Sequence, residues 1–245
     1  MKVLKFGGTS VANPENINKV KSILANQNNE QIAVVVSAFG GVTDLLFNAS
    51  NLASEQDVKY KESLKKIEDR HISAIRELIP VKLQSAALSK VKSELNILET
   101  LLEGAFLIGE LTPKLSDKIV SYGELLSSFI ISEFLKSEGL DVVFKDSREL
   151  IITDNNFGKA NVDFKKTNAN CGAYFSSNQH QITILPGFVA SSKSGDLTTL
   201  GRGGSDYTAA IIAAAVNADI LEIWTDVSGM YTANPKLVKQ AKCVS

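Results

Sequence analysis

The first ten residues place a positive side chain next to paired glycines. Residues 1–6 form a short apolar run that contains Lys5 and leads directly into Gly7-Gly8-Thr9-Ser10. Paired glycines let the backbone approach an anion closely, and the N–H groups and hydroxyls can then donate to phosphate oxygens. A strand–turn–helix joint with a surface lysine would explain the segment equally well. The segment is not a Walker A loop, because its lysine precedes the glycines.

A second segment, residues 200–207 (LGRGGSDY), also combines charged side chains with paired glycines. Arg202 supplies a planar donor fork suited to carboxylate or phosphate, and Asp206 supplies an acid just before an Ala-rich helix predicted over 208–217. An ordinary glycine-rich loop rarely needs Arg, Ser and Asp together. A third polar segment, residues 223–229, follows a strand-like run, and open α/β sheets bind ligands at such strand ends.

Composition and charge restrict the classes of protein that fit this chain. A chain of 245 residues buries about 70–75% of its unfolded surface, enough for one sizeable core. The net charge of −1 gives no electrostatic reason to expect nucleic acid or an anionic membrane as a partner. No apolar run is long enough to span a membrane, and two cysteines, Cys171 and Cys243, form neither a metal motif nor a disulfide framework. These features predict a cytoplasmic protein.

The hydrophobic pattern alternates between strands and helices. Strands are predicted at 3–6, 32–37, 141–144 and 181–185, and helices at 14–25, 117–137 and 163–177. The segment 191–196 (SSKSGD) is predicted to form a hairpin or a lid loop, and Asn155 and Asn156 are predicted to shape a turn. No internal repeat and no linker divides the chain, so a single domain is expected.

Residues 54–108 are predicted to be wholly helical, with a break at Ile79-Pro80. The charges between 59 and 70 are mixed in sign, which is typical of a solvated helix face, and His71 is assigned to that face. This helical block is expected to lie beside the substrate pocket and to contribute no catalytic side chain. On that basis, replacing His71 by Gln should leave kcat/KM within about threefold.

Six short motifs, each containing glycine, occur in order along nearly the whole chain. They are KFGGTS (5–10), SAFGGVT (37–43), SYGE (121–124), TDNNFGKA (153–160), GRGGSD (201–206) and WTDVSGMY (224–231). Together they resemble aspartate kinase, most closely the lysine-sensitive monofunctional branch. The resemblance implies the amino acid kinase fold, a three-layer α/β/α sandwich around a mostly parallel sheet, with a helical insertion at about 54–110.

The resemblance implies transfer of a phosphoryl group from ATP to the side chain of L-aspartate. That carboxylate is already ionised at pH 7, so no general base is needed and the task is positioning and charge neutralisation. Lys5 is expected to contact the transferring phosphate, helped by Mg²⁺ and the N–H groups of Gly7 and Gly8. Asp206 is expected to fix that lysine or the metal arrangement. No side chain is named as a direct ligand of Mg²⁺.

Recognition of aspartate requires groups that read an ammonium and two carboxylates. Glu124 can pair with the α-ammonium, and Arg202 can bind the α-carboxylate in a fork. The further substrate-binding residues implied by the motifs are Ser37, Thr43, Gly203, Gly204 and Ser205. The nucleotide-binding residues implied are Lys5, Gly7, Gly8, Ser10, Thr225, Asp226, Tyr231 and Lys236, with Asp226 facing a ribose hydroxyl.

The chain departs from the family pattern near its end. Ser228 stands where the family commonly has Asp, and Asn234-Pro235-Lys236 stands where it has Asp-Pro-Arg. Lys236 keeps a positive charge for phosphate but loses the bidentate fork. Family members usually continue through further helices and two regulatory ACT domains, so residues 1–245 are interpreted as one kinase domain that is incomplete at its C-terminus. A homodimer is expected for the full-length protein.

Two other interpretations of the motifs stay open at this point. The first is another enzyme of the amino acid kinase fold, such as a glutamate 5-kinase or a uridylate kinase. Arg202 together with Glu124 favours a zwitterionic amino acid over a nucleotide as the acceptor. The second is a binding or assembly module without activity. The presence of both Lys5 and Asp206 argues against that, since an inactive module has no use for the pair.

Overall fold

The strands were located in a computed structural model, which describes residues 1–27, 30–225, 229, 232–233, 238 and 240–244. The strands in these ranges are β1 (Lys2–Phe6), β2 (Ile32–Val36), β3 (Val142–Phe144), β4 (Ile152–Thr153), β5 (Ile182–Pro186), β6 (Val189–Ser192), β7 (Leu197–Thr199) and β8 (Ile220–Trp224). Five of them form a parallel sheet in the order β3-β5-β2-β1-β8.

The register of this sheet brings its strand ends together. Phe6 pairs with Val36 on one side and with Trp224 on the other, and Val36 in turn pairs with Pro186. Strand β2 (IAVVV) is buried along its whole length, which is typical of a central parallel strand covered on both faces. The loops after β1, β2, β5 and β8 therefore leave the sheet at one common edge.

The helices are α1 (Pro14–Ala25), α2 (Val42–Ser54), α3 (Tyr60–Leu78), α4 (Gln84–Ile108), α5 (Pro113–Ser137), α6 (Phe164–Ser177) and α7 (Gly204–Ala215). Three start at side-chain caps: Asn13, Thr112 and Asp163 each accept a hydrogen bond from the backbone three residues on. Among the described helices, none is long and apolar enough to cross a membrane.

Two hydrophobic clusters lie on opposite faces of the parallel sheet. Leu4 and Phe6 of β1 belong to the larger cluster, which also contains apolar residues of α1 to α5. Val3 belongs to the smaller cluster, with residues of α6 and α7. Successive side chains of a strand point to opposite faces, so the sheet is covered by helices on both sides. The three-layer α/β/α arrangement predicted from the sequence is thus present.

The helical region is larger than the sequence predicts. Helix α2 starts at Val42, twelve residues before the predicted block, and α5 starts at Pro113 instead of residue 117. The predicted break is confirmed, because α3 ends at Leu78 and a 3₁₀ turn at Val81–Leu83 precedes α4. Helices α2, α3, α4 and α5 pack against one another beside the sheet.

A second, smaller sheet contains β4, β6 and β7. Strands β6 and β7 are antiparallel, so the segment around residues 193–196 is the turn of a hairpin, one of the two predicted forms. Strand β4 pairs in parallel with β6 and was not predicted, since two residues are too few to show alternation. The turn predicted at Asn155 and Asn156 is present, and the Asn156 amide donates to the Lys159 carbonyl at 3.0 Å.

The assignment of His71 to a solvated face is wrong. Its side chain is 0% exposed and lies among the buried residues of α3, although the charged residues around it are at the surface. His71 follows Ile67 by four residues and precedes Ile75 by four, so it continues the apolar stripe of this helix. The charged residues on either side of His71 hide this spacing in the sequence.

Candidate active site

Lys5 and Asp206 form an ion pair at the common edge of the sheet. The Lys5 Nζ lies 2.6 Å from Asp206 Oδ1, and the lysine side chain is largely buried whereas the aspartate is half exposed. Lys5 shares the face of β1 with Val3, which packs in the cluster that contains α7. The lysine therefore extends towards the first turn of α7, where Asp206 lies.

The loops that follow β1 and β2 contact each other through their backbones. A Cβ atom built on Gly40 would lie 3.1 Å from the carbonyl oxygen of Gly8 and 3.0 Å from Cβ of Ala12. Only glycine allows this approach without displacement. The KFGGTS and SAFGGVT motifs thus form one continuous wall next to Lys5.

Helices α2 and α7 both begin next to this wall without a capping side chain. Their N-cap residues are Gly41 (φ +80°) and Gly203 (φ +72°), in the left-handed conformation that favours glycine. The first N–H groups of a helix carry partial positive charge and have no partner within the helix. Two helix N-termini therefore give this region an affinity for anions.

Glu124 is the buried acid of the region. It lies on α5, is 5% exposed, and its Oε2 has no hydrogen-bond partner among the described residues. Burial raises the pKa of Glu124 to about 8, although the Ala38 N–H and the positive charge of Lys5 oppose this shift. A buried carboxyl with one free oxygen is a suitable partner for a cationic group of a ligand.

Asp117 is a second buried acid on α5, and the sequence analysis did not assign it a function. Its Oδ1 accepts from the Thr199 hydroxyl at 2.8 Å, and its Oδ2 accepts from the N–H groups of Thr199 at 3.0 Å and Gly158 at 2.9 Å. Burial raises the pKa of Asp117, and these hydrogen bonds act in the opposite direction. Asp117 thereby joins α5 to the end of β7, just before the Arg202 loop.

These groups line one cavity of about 780 Å³ at the edge of the sheet. Most of the residues singled out from the sequence line it: Lys5, Gly8, Ser37, Thr43, Glu124, Arg202, Gly203, Gly204, Ser205 and Asp206. Arg202 is exposed at its margin. The cavity also contains side chains without a function assigned from the sequence, among them Asp44, Phe47, Asp117, Phe188 and Thr199.

The remaining sequence candidates lie elsewhere. The N–H of Gly7 donates to the Trp224 carbonyl at 3.2 Å, so it is not directed at a ligand as the sequence analysis expected. Ser10 donates to the same carbonyl, and Ser10 and Thr225 line a separate cavity of about 220 Å³. Asp226, Tyr231 and Lys236 are outside the described residues, as are Ser228 and residues 234–235.

A parallel α/β sheet with a lysine, a buried acid and two helix N-termini at its carboxyl edge is typical of a site that binds anionic ligands. Comparisons with known proteins identify the family of the chain. The model of the amino acid kinase family matches residues 1–245, and the chain belongs to that family.

Among characterised relatives, the chain is 35% identical to lysine-sensitive aspartokinase 3 of Escherichia coli over 249 residues, covering 98% of this chain and 52% of the relative. It is 33% identical to a chloroplastic bifunctional aspartokinase/homoserine dehydrogenase 1 of Arabidopsis thaliana, covering 98% of this chain and 26% of the relative. The chain thus spans between a quarter and about half the length of these relatives.

The solved structures give the same result. The structure of E. coli aspartokinase III in complex with aspartate and ADP superimposes with a TM-score of 0.90 at 33% identity, covering 100% of this chain and 53% of that one. An isopentenyl phosphate kinase superimposes with a TM-score of 0.54 at 16% identity, which shows a shared fold alone. The resemblance to aspartate kinase stated from the motifs is confirmed.

Proposed function

We propose that this chain is the catalytic domain of an aspartate kinase, which transfers the γ-phosphoryl group of ATP to the side-chain carboxylate of L-aspartate. The product is 4-phospho-L-aspartate, and the step begins the biosynthesis of lysine, threonine and methionine. One observation carries this proposal: the Lys5–Asp206 pair, two helix N-termini and the carboxyl of Glu124, whose Oε2 has no partner among the described residues, share one cavity. The solved relative that holds aspartate and ADP supports it.

The acceptor half of the cavity suits an amino acid with two carboxylates. We assign the ammonium to Glu124, whose free oxygen is buried, and the α-carboxylate to the guanidinium fork of Arg202. Hydroxyls and backbone N–H groups just after β2 and at the starts of α2 and α7 complete the subsite: Ser37, Thr43, Gly203, Gly204 and Ser205. An acceptor substrate without a cationic group would leave Oε2 of Glu124 without a charged partner.

Phosphoryl transfer in this cavity needs charge neutralisation and no general base. The acceptor carboxylate is a nucleophile at neutral pH, and Lys5 with the backbone at Gly8 faces the transferred group. Asp206 holds the lysine ammonium at 2.6 Å and so fixes its position. We propose that Mg²⁺ enters on the nucleotide phosphates, as is common for this cation, and the half-exposed carboxylate of Asp206 suits such a hard cation.

The nucleotide is assigned to the side of the sheet edge where β1 and β8 end. Ser10 and Thr225 line the smaller cavity there, together with Phe6 and Trp224. The proposed nucleotide-binding set also includes Asp226, Tyr231 and Lys236 on the basis of the motifs alone. In this assignment Asp226 binds a ribose hydroxyl and Lys236 a phosphate.

Further properties belong to the same proposal. Residues 1–245 are proposed to form one kinase domain, and the relatives extend well beyond the matched region. We propose a homodimer for the full-length protein. A cytoplasmic location is also proposed, although the Arabidopsis relative is described as chloroplastic.

A coupled assay of ADP release tests the proposal. Purified chain is given ATP and Mg²⁺ with L-aspartate, L-glutamate or UMP, and the full-length gene product is assayed beside it. We expect release of ADP with aspartate in the full-length protein, and release that is about 10²–10³-fold slower in its Lys5→Ala variant. Turnover that is faster with glutamate or UMP would replace the proposed substrate, and wild-type turnover that Lys5→Ala leaves intact would refute the proposed site.

A further inference from the structure

Helix α3 contacts the two glycine loops that follow β1 and β2, through two consecutive residues. Arg70 donates a hydrogen bond to the carbonyl of Ala12, just after the first loop. The His71 ring stacks on the ring of Phe39 in the second loop, with centroids 5.2 Å apart and an interplanar angle of 25°. Helix α3 lies far from Lys5 in sequence and contributes no residue to the lining of the large cavity.

His71 is held as a neutral ring. Its Nδ1 lies 2.7 Å from the Ile67 carbonyl, and since a carbonyl can only accept, Nδ1 carries the hydrogen. The other ring nitrogen, Nε2, is buried and has no hydrogen-bond partner among the described residues. Burial lowers the pKa of His71 to about 4, so the ring is uncharged near neutral pH. A fixed, neutral aromatic ring can serve as a rigid support.

The segment supported by His71 connects to both halves of the cavity. Phe39 follows Ala38, whose N–H donates to the carboxyl of Glu124, and precedes Gly40, whose backbone touches Gly8. The carbonyl of Phe39 accepts from the Val42 N–H at 2.9 Å, at the start of α2. A displacement of Phe39 would therefore reach the proposed ammonium site, the first glycine loop and the N-terminus of α2.

We propose that Arg70 and His71 are positioning residues, which hold the two glycine loops in register with each other and so set the geometry of the cavity. His71 acts through Phe39, and Arg70 acts through the carbonyl of Ala12. The effect on catalysis rests on the proposed kinase function, whereas the effect on the loops does not. Helix α3 still contributes no catalytic side chain, but a positioning role for His71 departs from the expectation that its replacement leaves kcat/KM within about threefold.

Hydrogen–deuterium exchange and steady-state kinetics of matched variants test the inference. His71→Leu removes the ring stack on Phe39. The control Tyr60→Leu removes another ring contact at the start of the same helix, where Tyr60 packs on Phe106 in a tilted arrangement with centroids 5.5 Å apart and an interplanar angle of 41°. We expect exchange of the Val42 amide to be about tenfold faster in His71→Leu and unchanged in Tyr60→Leu, at temperatures where both are folded.

Two further variants separate the contacts. His71→Phe keeps an aromatic ring and should restore slow exchange at Val42, while Arg70→Met should accelerate exchange at Val11, whose N–H donates to the Gly7 carbonyl at 3.2 Å. In the active full-length protein, His71→Leu should raise the KM for aspartate and lower kcat, with kcat/KM reduced about tenfold or more. Tyr60→Leu should leave both constants near wild type.

The outcomes separate this inference from the proposed function. Equal exchange in His71→Leu and Tyr60→Leu, or no recovery in His71→Phe, would overturn the positioning role. Loop exchange that changes as expected with a kcat/KM within threefold of wild type would overturn its effect on catalysis. A wild-type protein without aspartate kinase activity would refute the proposed function and leave the exchange experiment as the test of the loops.

Discussion

Because the carboxyl of Glu124 has a raised pKa, we predict that binding of aspartate releases a proton from it. Burial raises its pKa to about 8, so at pH 7, one unit below, about 0.9 of the molecules carry the proton. A ligand ammonium next to this group stabilises the ionised form and lowers its pKa. Binding at pH 7 should therefore release about 0.9 proton per aspartate, if the proton leaves completely.

The same equilibrium sets the pH dependence of the affinity. Only the ionised carboxyl pairs with the ammonium, so the apparent Kd for aspartate should rise as the pH falls below the pKa of about 8. Between pH 7 and pH 6 the ionised fraction falls about ninefold, and the apparent Kd should increase by about the same factor. The dependence should weaken through pH 8, where half of the carboxyls are ionised, and should vanish above about pH 9.

The raised pKa of Glu124 also determines how its contribution to the stability of the folded state changes with pH. Without ligand, the folded chain holds the proton more tightly than the unfolded chain, whose carboxyl has a pKa of 4.5. The stabilising contribution of the protonated carboxyl is therefore complete below about pH 4.5 and is lost as the pH rises through 8. Glu124 thus favours the folded state less under the conditions in which it binds the ligand best.

Isothermal titration calorimetry measures the released proton. Aspartate is titrated at pH 7 in several buffers that differ in ionisation enthalpy. The slope of the observed binding enthalpy against the ionisation enthalpy of the buffer gives the number of protons released. Glu124→Gln should bind more weakly and release none, whereas Asp44→Asn, which removes an exposed acid of the same cavity, should keep the release. Binding by the wild type without proton release would refute the assignment of the ammonium to Glu124.

Three further substitutions test the other groups of the cavity. Lys5→Ala should lower kcat about 10²–10³-fold with little change in either KM, measured by steady-state kinetics of the full-length protein, because it removes a preorganised cation; a near-normal kcat would exclude Lys5 from the mechanism. Arg202→Lys should weaken aspartate binding by about 1.5–3 kcal/mol and leave an ATP analogue unaffected in calorimetry; the reverse result would make Arg202 a phosphate ligand. Asp117→Asn should lower the free energy of unfolding by about 2 kcal/mol in urea, since an amide cannot accept from all three donors; an unchanged urea midpoint would contradict this role.

The local parts of this fold could be predicted from the sequence. The continuous apolar run of β2 and the Pro-initiated helix α1 have the bounds expected from their residues, to within one position. Glycine pairs after buried strands correctly indicated where the cavity lies, because parallel strands end at one edge. The two- to four-residue strands of the small sheet were missed, apart from the hairpin turn, since such short segments show no periodicity.

The buried polar face of α5 could have been read from spacing alone. Asp117, Ser121, Glu124 and Ser128 follow one another at intervals of four, three and four residues, which places them on one side of a helix. All four are buried in the structure. Glu124 was identified only because it ends the SYGE motif, and Asp117 had no motif to mark it. A polar stripe on a helix that must cover a sheet was the physical signal for both.

The Lys5–Asp206 contact shows where sequence reasoning ends. Alternation along β1 places Lys5 on the face opposite Leu4 and Phe6, which follows from the sequence once the strand is known. That α7 covers this face, and that β8 and not β5 lies next to β1, depends on the sheet order, which no local pattern encodes. Resemblance supplied the pairing of the two residues, and the topology supplies its cause. The same limit explains His71, whose burial follows from its spacing, whereas its stacking on Phe39 required the packing of α3 against the loop after β2.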